Sequence, residues 1–355
     1  MDGLTTRSNA KPRLTRAAGE VTSEKADYTL CIGTGLVELA PDHIVSTTLY
    51  NGQFPGPLLR FREGERVVVD ICNDTDTTEL VHWHGQMIPS EVDGAAEEGS
   101  PFVPAHGMRR IAFTPKPSGF RLYHTHVVAG GDLNRGTYTG QAGPVYIESR
   151  NNPGAYDREV ILVMKEFLPS ISRGGDMDID ALAGAPLMPL REMGAAADRE
   201  AKEKTKGFEV GYDLFSINGR TLGHGEPIRV RQGERVMFHV LNASATEIRS
   251  LALPGHVFCT VALDGNPVPR HANVPVLWLG TAERISAIVE MNHPVIWVMG
   301  DLADDDRRHG MGIVVEYAGR NGKPQWAKPT PFHWDYTQFG RVNTVHRRDD
   351  RDDRC

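Results

Sequence analysis

From about residue 28 the chain runs as a series of short apolar stretches, each closed by Gly, Pro, Asn or Asp. The segment Arg66-Val67-Val68-Val69-Asp70-Ile71-Cys72 is representative: it is β-branched, follows Gly64 and ends at Asn73-Asp74. The same pattern predicts strands over residues 29–32, 46–50, 66–72, 80–84, 109–114, 120–126 and 143–148. A second series covers 158–164, 214–217, 227–231, 235–242, 248–253, 257–263, 285–291, 295–300 and 311–317. Many short strands separated by turn residues indicate an all-β chain built of sandwiches or barrels.

The two series share a phrase. Asn51-Gly52, followed by Pro57-Leu58-Leu59-Arg60-Phe61-Arg62-Glu63-Gly64-Glu65-Arg66-Val67, parallels Asn218-Gly219, followed by Pro227-Ile228-Arg229-Val230-Arg231-Gln232-Gly233-Glu234-Arg235-Val236. Recurrence after about 165 residues points to one β-domain used twice in tandem. The turn-rich Asn151-Asn152-Pro153-Gly154 supplies a boundary. The expected organisation is a flexible polar arm over 1–26, a first domain over 27–155, a second over 156–320, and a tail or linker over 321–355. A polar insertion over about 170–207 interrupts the second domain, and residues 191–206 within it have helix-forming composition. Its methionines, Met177, Met188 and Met193, read as loop or packing residues, with soft metal ligation as the alternative.

Composition narrows the classes. The 46 acidic residues outnumber the 39 basic ones, which argues against a nucleic-acid-binding face. No apolar run reaches the length of about 18 residues that a membrane-spanning helix needs, so none is expected. The N-terminal residues lack the apolar core of a secretory leader, and localisation stays open between the cytoplasm and a compartment reached by a leader since removed. The mixed-sign run over 347–354 reads as a solvated tail. Cys31, Cys72, Cys259 and Cys355 are scattered, without a C-x-x-C spacing.

The chemistry lies in two short phrases, Val81-His82-Trp83-His84-Gly85 and Tyr123-His124-Thr125-His126-Val127. Side chains at i and i+2 of a strand share a face, so each H-x-H pair points two imidazoles the same way. Two neighbouring strands with such pairs would bring four imidazoles together, a donor set suited to copper, zinc, iron or nickel. A single pair would be weak evidence, because strand histidines are often held by structural hydrogen bonds.

Read together, Leu80-Val81-His82-Trp83-His84-Gly85, Glu91-Val92-Asp93-Gly94 and Tyr123-His124-Thr125-His126 resemble the first domain of multicopper oxidases. The stretch from Tyr123 to Val128, with Gly140-Gln141-Ala142-Gly143-Pro144-Val145-Tyr146-Ile147, is similar to bacterial small laccases. Phe215-Ser216-Ile217-Asn218-Gly219, Val240-Leu241-Asn242-Ala243-Ser244, Leu253-Pro254-Gly255-His256-Val257-Phe258 and Leu263-Asp264-Gly265-Asn266-Pro267-Val268 resemble the middle domain of three-domain laccases, which normally binds no copper. The resemblance implies two cupredoxin-like Greek-key domains. It implies that His82 ligates a type 2 copper and that His84, His124 and His126 ligate a type 3 pair. Asp93 matches a carboxylate that assists proton delivery during oxygen reduction, and it reads equally as a turn residue before Gly94. His256 reads as structural.

The departures from that pattern are as informative. No Cys stands beside a histidine pair, so no type 1 blue-copper ligand set is found; Gly300-Asp301-Leu302-Ala303 occupies the place of an H-C-H motif. The expected function is that of a laccase-like, copper-dependent oxidoreductase acting on phenolic or similar small reductants with oxygen, with half of the type 2/type 3 ligand set. The alternatives are a copper-binding or copper-buffering protein, or a cupredoxin-fold scaffold. A homo-oligomer, or a partner chain supplying the missing ligands, is the expected assembly. By resemblance the compartment would be periplasmic or extracellular.

Overall fold

The computed structural model describes residues 24–149, 156–173 and 208–340. The helix-forming stretch at 191–206, the three methionines Met177, Met188 and Met193, and the mixed-sign tail lie outside the described residues. The chain is all-β, in two cupredoxin-like units.

In the first unit the strands are β1 (Tyr28–Ala40), β2 (His43–Tyr50), β3 (Leu59–Arg62), β4 (Val67–Asn73), β5 (His82–His84), β6 (Gly107–Phe113), β7 (Gly119–His124) and β8 (Ala142–Glu148). They form two four-stranded sheets, ordered β2-β1-β4-β6 and β3-β8-β7-β5. Inward residues of both sheets, among them Val69, Ile71, Trp83, Ile111, Tyr123 and Val145, make one core. The second unit comprises β9 (Arg158–Arg173), β10 (Phe208–Ile217), β11 (Ile228–Val230), β12 (Arg235–Asn242), β13 (Arg249–Ala252), β14 (Phe258–Leu263), β15 (Asn266–Val274), β16 (Val276–Leu279), β17 (Arg284–Glu290), β18 (Trp297–Gly300) and β19 (Gly312–Tyr317). Its sheets are ordered β10-β9-β12-β17-β14-β15 and β11-β19-β18-β13-β16.

The repeated phrase has a physical purpose. Asn51 and Asn218 both adopt positive φ, each followed by a positive-φ Gly, and turn the chain sharply. The Asn51 Oδ1 accepts from Cys31 N–H at 2.6 Å and its Nδ2 donates to Thr29 O at 3.0 Å. Asn218 does the same to Val163 N–H at 2.8 Å and Ile161 O at 2.9 Å. The parallel pairings correspond too: β1 with β4 and β3 with β8 in the first unit, β9 with β12 and β11 with β19 in the second. Asn73 and Asn242, at the ends of β4 and β12, each donate through Nδ2 to three carbonyl groups, one in the loop that follows and two from a distant segment, at 103–104 and 279–280.

The units pack through an apolar seam that includes Leu39, Leu49, Phe54, Phe120, Phe167, Leu214 and Leu241. At one end of the seam the turn Asp264-Gly265 is pressed against the start of β7. A Cβ on Gly119 would sit 1.9 Å from Gly265 O, so only glycine allows the approach. The buried Arg121 guanidinium donates to Asp264 O, to Ser118 O (2.9 Å) and to Asn266 Oδ1 (2.8 Å).

Three strands, β3, β15 and β16, are absent from the sequence expectation, and a fourth is longer than expected. β3 is short and alternates only twice, too little for a periodicity to register. β15 carries Pro267 and Pro269 and is largely exposed at the sheet edge, where prolines are tolerated. β16 follows it after a single residue, so no turn signal separates them. β9 runs on to Arg173, past the expected start of the insertion. Residues 321–340, read as tail or linker, lie on the second unit: Phe339 is buried in its core, Phe332 and Trp334 pack against it, and Tyr336 Oη donates to Glu283 at 2.7 Å.

His239 on β12 is buried in the seam between Phe120 and Tyr146, with ring centroids 5.2 and 5.1 Å away. Its Nδ1 meets Ser286 Oγ at 2.7 Å, and among the described residues its Nε2 has no partner. Burial lowers its pKa from 6.5 to about 4. The unfolded chain therefore binds a proton on this residue that the folded one refuses. The stability involved is intact above the unfolded value and is lost as pH falls from about 6.5 towards 4. His239→Phe is expected to reduce the acid-induced loss by on the order of 2–3 kcal/mol, read by urea unfolding of metal-free protein at neutral and mildly acid pH. An unchanged pH slope would show that His239 is not a source of the acid sensitivity.

Candidate metal centre

β5 and β7 pair antiparallel, with His82 opposite His124, Trp83 opposite Tyr123 and His84 opposite Leu122. Trp83 and Tyr123 are fully buried in the first core. The alternation of a strand then sends the flanking histidines to the other face. His126 lies two residues beyond the end of β7. Between His124 and His126, Thr125 is fully buried, its hydroxyl donating to the Glu79 carboxylate at 3.3 Å and its N–H to Gln141 O at 3.2 Å. Gln141 Nε2 donates to the same Glu79 oxygen at 3.1 Å. This anchor holds residue 125 inward and leaves both histidines on the same side.

The four predicted imidazoles meet. The His82 ring centroid lies 5.5 Å from His84, 5.3 Å from His124 and 5.0 Å from His126. Ligand-capable nitrogens of His82, His84 and His124 all fall within 4.8 Å of one another. Among the described residues no other group of three or more His, Cys, Asp or Glu is so arranged. His126 stands beside this trio but outside it, with its Nδ1 3.5 Å from Glu97 Oε1.

Hydrogen bonds on the far side of the rings set the tautomers. His82 Nδ1 lies 2.9 Å from Asp93 O, and His124 Nδ1 lies 2.7 Å from Thr125 O. A carbonyl only accepts, so each Nδ1 carries the proton and each Nε2 keeps its lone pair. His84 Nδ1 then faces His124 Nε2 at 3.2 Å. Burial, followed by the charge of Arg284, lowers the His84 pKa to about 3. Burial, followed by His82, lowers that of His124 to about 4. Both rings are neutral at physiological pH, the state that binds metal. Converging neutral imidazoles with oriented lone pairs fit a borderline or soft transition-metal ion such as copper.

Asp93 closes the short helix α1 (Ser90–Asp93) and is buried, with Oδ2 3.3 Å from His82 Nδ1. It is therefore both a turn residue and a neighbour of a metal-facing ring. Burial raises the pKa of its carboxyl group. Gly94 has φ 86°, and a Cβ there would lie 1.9 Å from Val81 O, so a glycine is required for the turn to seat against β5.

Sequence reasoning missed Glu79 and Gln141, which anchor the β7 end, and Arg284, which the second unit brings to the first. A Cβ on Gly85 would be 2.7 Å from Arg284 Nη2, which places the guanidinium beside His84. Arg284 Nη1 is held by Asp264 Oδ1 at 3.1 Å and Ala282 O at 2.7 Å. No local motif marks Arg284. Its partner Asp264 belongs to the quoted Leu263-Asp264-Gly265 phrase, the one signal that could have pointed there. His256 is buried with both nitrogens satisfied, Nδ1 by Pro254 O at 2.8 Å and Nε2 by Tyr317 Oη at 2.5 Å, in keeping with a structural role.

By strand order β13 and β18 occupy in the second unit the places of β5 and β7 in the first. There the buried Asp301 accepts from Ser250 N–H (3.1 Å), Ser250 Oγ (2.8 Å) and Ala303 N–H (2.8 Å). Arg249 bonds Asp306 and approaches Glu166 Oε2 at 3.8 Å. A hydrogen-bonded ionic network fills the position that carries imidazoles in the first unit.

The chain thus has tandem cupredoxin-like domains, the first carrying a cluster of four histidines that could hold a metal ion. Family comparison agrees: profiles described as multicopper oxidase match residues 34–152 and 192–310. The chain belongs to the multicopper oxidase family. It is 26% identical over 306 residues to "Multicopper oxidase MmcO" of Mycobacterium tuberculosis, covering 85% of this chain and 58% of that protein. It is 25% identical over 285 residues to "Copper resistance protein A homolog" of Pseudomonas syringae pv. tomato, covering 74% of this chain and 47% of that protein. The chain thus spans about half the length of the curated relatives it matches. The solved blue copper oxidase from Nitrosomonas europaea superposes with a TM-score of 0.65 at 23% identity, covering 82% of this chain and 85% of that one, and supports the fold.

Replacing His84 and His124 together by Ala removes two of the three converging ligands and leaves the buried Trp83–Tyr123 pair untouched. The variant, loaded with copper(II), is expected to lose most of it and to unfold as cooperatively as wild type. Copper stoichiometry by elemental analysis, unchanged in this variant, would refute the site.

Proposed function

We propose that the protein is a laccase-like, copper-dependent oxidoreductase whose metal centre is held by His82, His84, His124 and His126. The observation that carries the reading is the convergence of the His82, His84 and His124 nitrogens within 4.8 Å, with His126 against them. In this assignment His82 serves a type 2 position and the other three a type 3 pair, half of a full set. Copper bound there supplies one-electron chemistry between a small phenolic reductant and oxygen. The protein's own part is to keep two imidazoles unprotonated by burial, to orient His82 through Asp93, and to place beside the centre the Asp93 carboxyl, whose pKa burial raises. The remaining ligands come from another domain or a partner chain. The class is supported by family membership; the substrate class, copper types and assembly rest on the resemblance of the motifs.

Oxygen consumption with a phenolic substrate tests the reading. Copper-loaded protein is expected to turn over slowly, His82→Ala to lose the activity, and Asp93→Asn to keep its copper while slowing. Turnover that survives removal of copper and loss of His82 refutes the oxidase reading. Stoichiometric copper binding with no turnover favours a buffering protein instead.

Optical spectra test the ligand set separately. An intense blue band needs a copper–thiolate bond with histidine co-ligands. None of the residues in the centre is a cysteine, so copper(II)-loaded protein is expected to lack that band. Its appearance would show a type 1 site and overturn the half-set assignment.

A further inference from the structure

The outward face of the first unit's other sheet carries a second set of metal-binding atoms, made of sulfur. Cys31 on β1 is in register with Cys72 on β4, and Cys72 is in register with Met108 on β6. Residues in register on adjacent strands project to the same face. That face is the outer one, because the neighbours Leu30, Ile32 and Ile71 point into the core. Cys31 and Cys72 are free thiols, each half-buried, and their side chains are in hydrogen-bond contact. Met108 is 59% exposed.

The pair on the same face two residues earlier along β4 shows how closely such partners approach. Asp70 and Arg110 form a bidentate ion pair, with Arg110 Nε at 2.7 Å and Nη2 at 2.8 Å from the carboxylate oxygens. Neighbouring strands lie about 4.8 Å apart, so one ion above Cys72 is within reach of the sulfur on either side. Gly33 follows Cys31 on the same face of β1 and adds no side chain beside the row; a Cβ there would meet only Asp74, at 3.8 Å.

We infer that Cys31, Cys72 and Met108 form a binding site for a soft monovalent cation, Cu(I). Two thiols and a thioether are donors that select Cu(I) over harder ions. Binding forms two copper–thiolate bonds and one copper–thioether bond; each thiol releases its proton to solvent, and no oxidation state changes. The site shares no residue with the histidine centre and stands whether or not that centre is catalytic.

The test is competition for Cu(I) under anaerobic conditions, using reduced full-length chain and a chromophoric Cu(I) chelator. With the histidine centre removed, His84→Ala/His124→Ala is expected to retain one Cu(I) equivalent, and to lose it when Cys31→Ser/Cys72→Ser is added. Met108→Leu in the same background, at an exposed position, is expected to keep the equivalent but yield it to a weaker competitor. Peptide-resolved alkylation of wild type gives a reading that needs no variant: Cu(I) should protect Cys31 and Cys72 together. Alkylation of both at an unchanged rate with Cu(I) present, or full Cu(I) retention after the two serine substitutions in the histidine-deleted background, overturns the proposal.

Discussion

The convergence of the four histidines depends on two aromatic side chains that face the other way. Trp83 and Tyr123 sit opposite one another across β5 and β7, each flanked by histidine on its own strand or just before it ends, and both are wholly buried. A strand has a side-chain period of two, so a register slip of one residue would expose the indole and drive two imidazoles into the core. Burial of one large apolar side chain is worth roughly 1.5–3 kcal/mol, and unpaired imidazoles in the core add a further penalty. The hydrophobic core thereby fixes which way the ligands face. Gly143 enforces the same register from β8: a Cβ there would lie 2.2 Å from the Tyr123 ring, so only glycine lets β8 close over it.

The second unit shows what the frame does without histidines. Its Asn-Gly turn, its strand-ending Asn and its parallel pairings repeat those of the first. Yet the place of β5 and β7 is taken by Ser250, which donates to Asp301, and by Arg249, which bonds Asp306 and Ser244. Buried Lys165 and Glu166 lie beside this network, 3.5 Å apart, and the ammonium group also donates to Thr137 O of the first unit at 2.8 Å. Where the first unit gathers imidazoles, the second places carboxylates, hydroxyls and a guanidinium that bond mainly to protein groups. The difference lies in side chains on equivalent strands, not in backbone architecture.

Much of this was legible in the sequence because it is periodic or local. The β-branched runs mark the strands, and an H-x-H pair on a strand states its own geometry. The duplicated Asn-Gly phrase announces the repeat because both copies perform the same backbone hydrogen bonding. What escaped was non-local or weakly patterned. β15 has two prolines and little burial, and β16 follows without a turn. Residues 321–340 look like a linker by composition, and only their aromatic contacts with the second core place them. Arg284 lies 200 residues from His84, so its position follows from how the units dock. Asp93 was read as either a turn residue or a neighbour of the ligands. The fold makes it both, since α1 ends where His82 needs a hydrogen-bond acceptor.

The docking of the units bears on the electrostatics of the centre. Arg284 is buried beside His84, and its positive charge opposes protonation of that ring, which keeps a ligand available in acid. The same charge would repel a metal cation if it stood alone. It does not: Asp264 holds the guanidinium at 3.1 Å, and the Asp264-Gly265 turn is itself clamped to β7 by Arg121 and by the glycine contact at Gly119. Burial and the neighbouring Arg284 lower the pKa of Arg121 to about 10, still far above neutrality, so its guanidinium stays charged. The acid that offsets Arg284 is delivered by the very turn that joins the units. Within the second unit Asp264 N–H donates to Arg284 O at 2.7 Å and Arg284 N–H donates to Asp264 Oδ1 at 3.1 Å, so the two charges are already a pair. Docking of the second unit therefore brings a compensated guanidinium, not a bare one, beside His84.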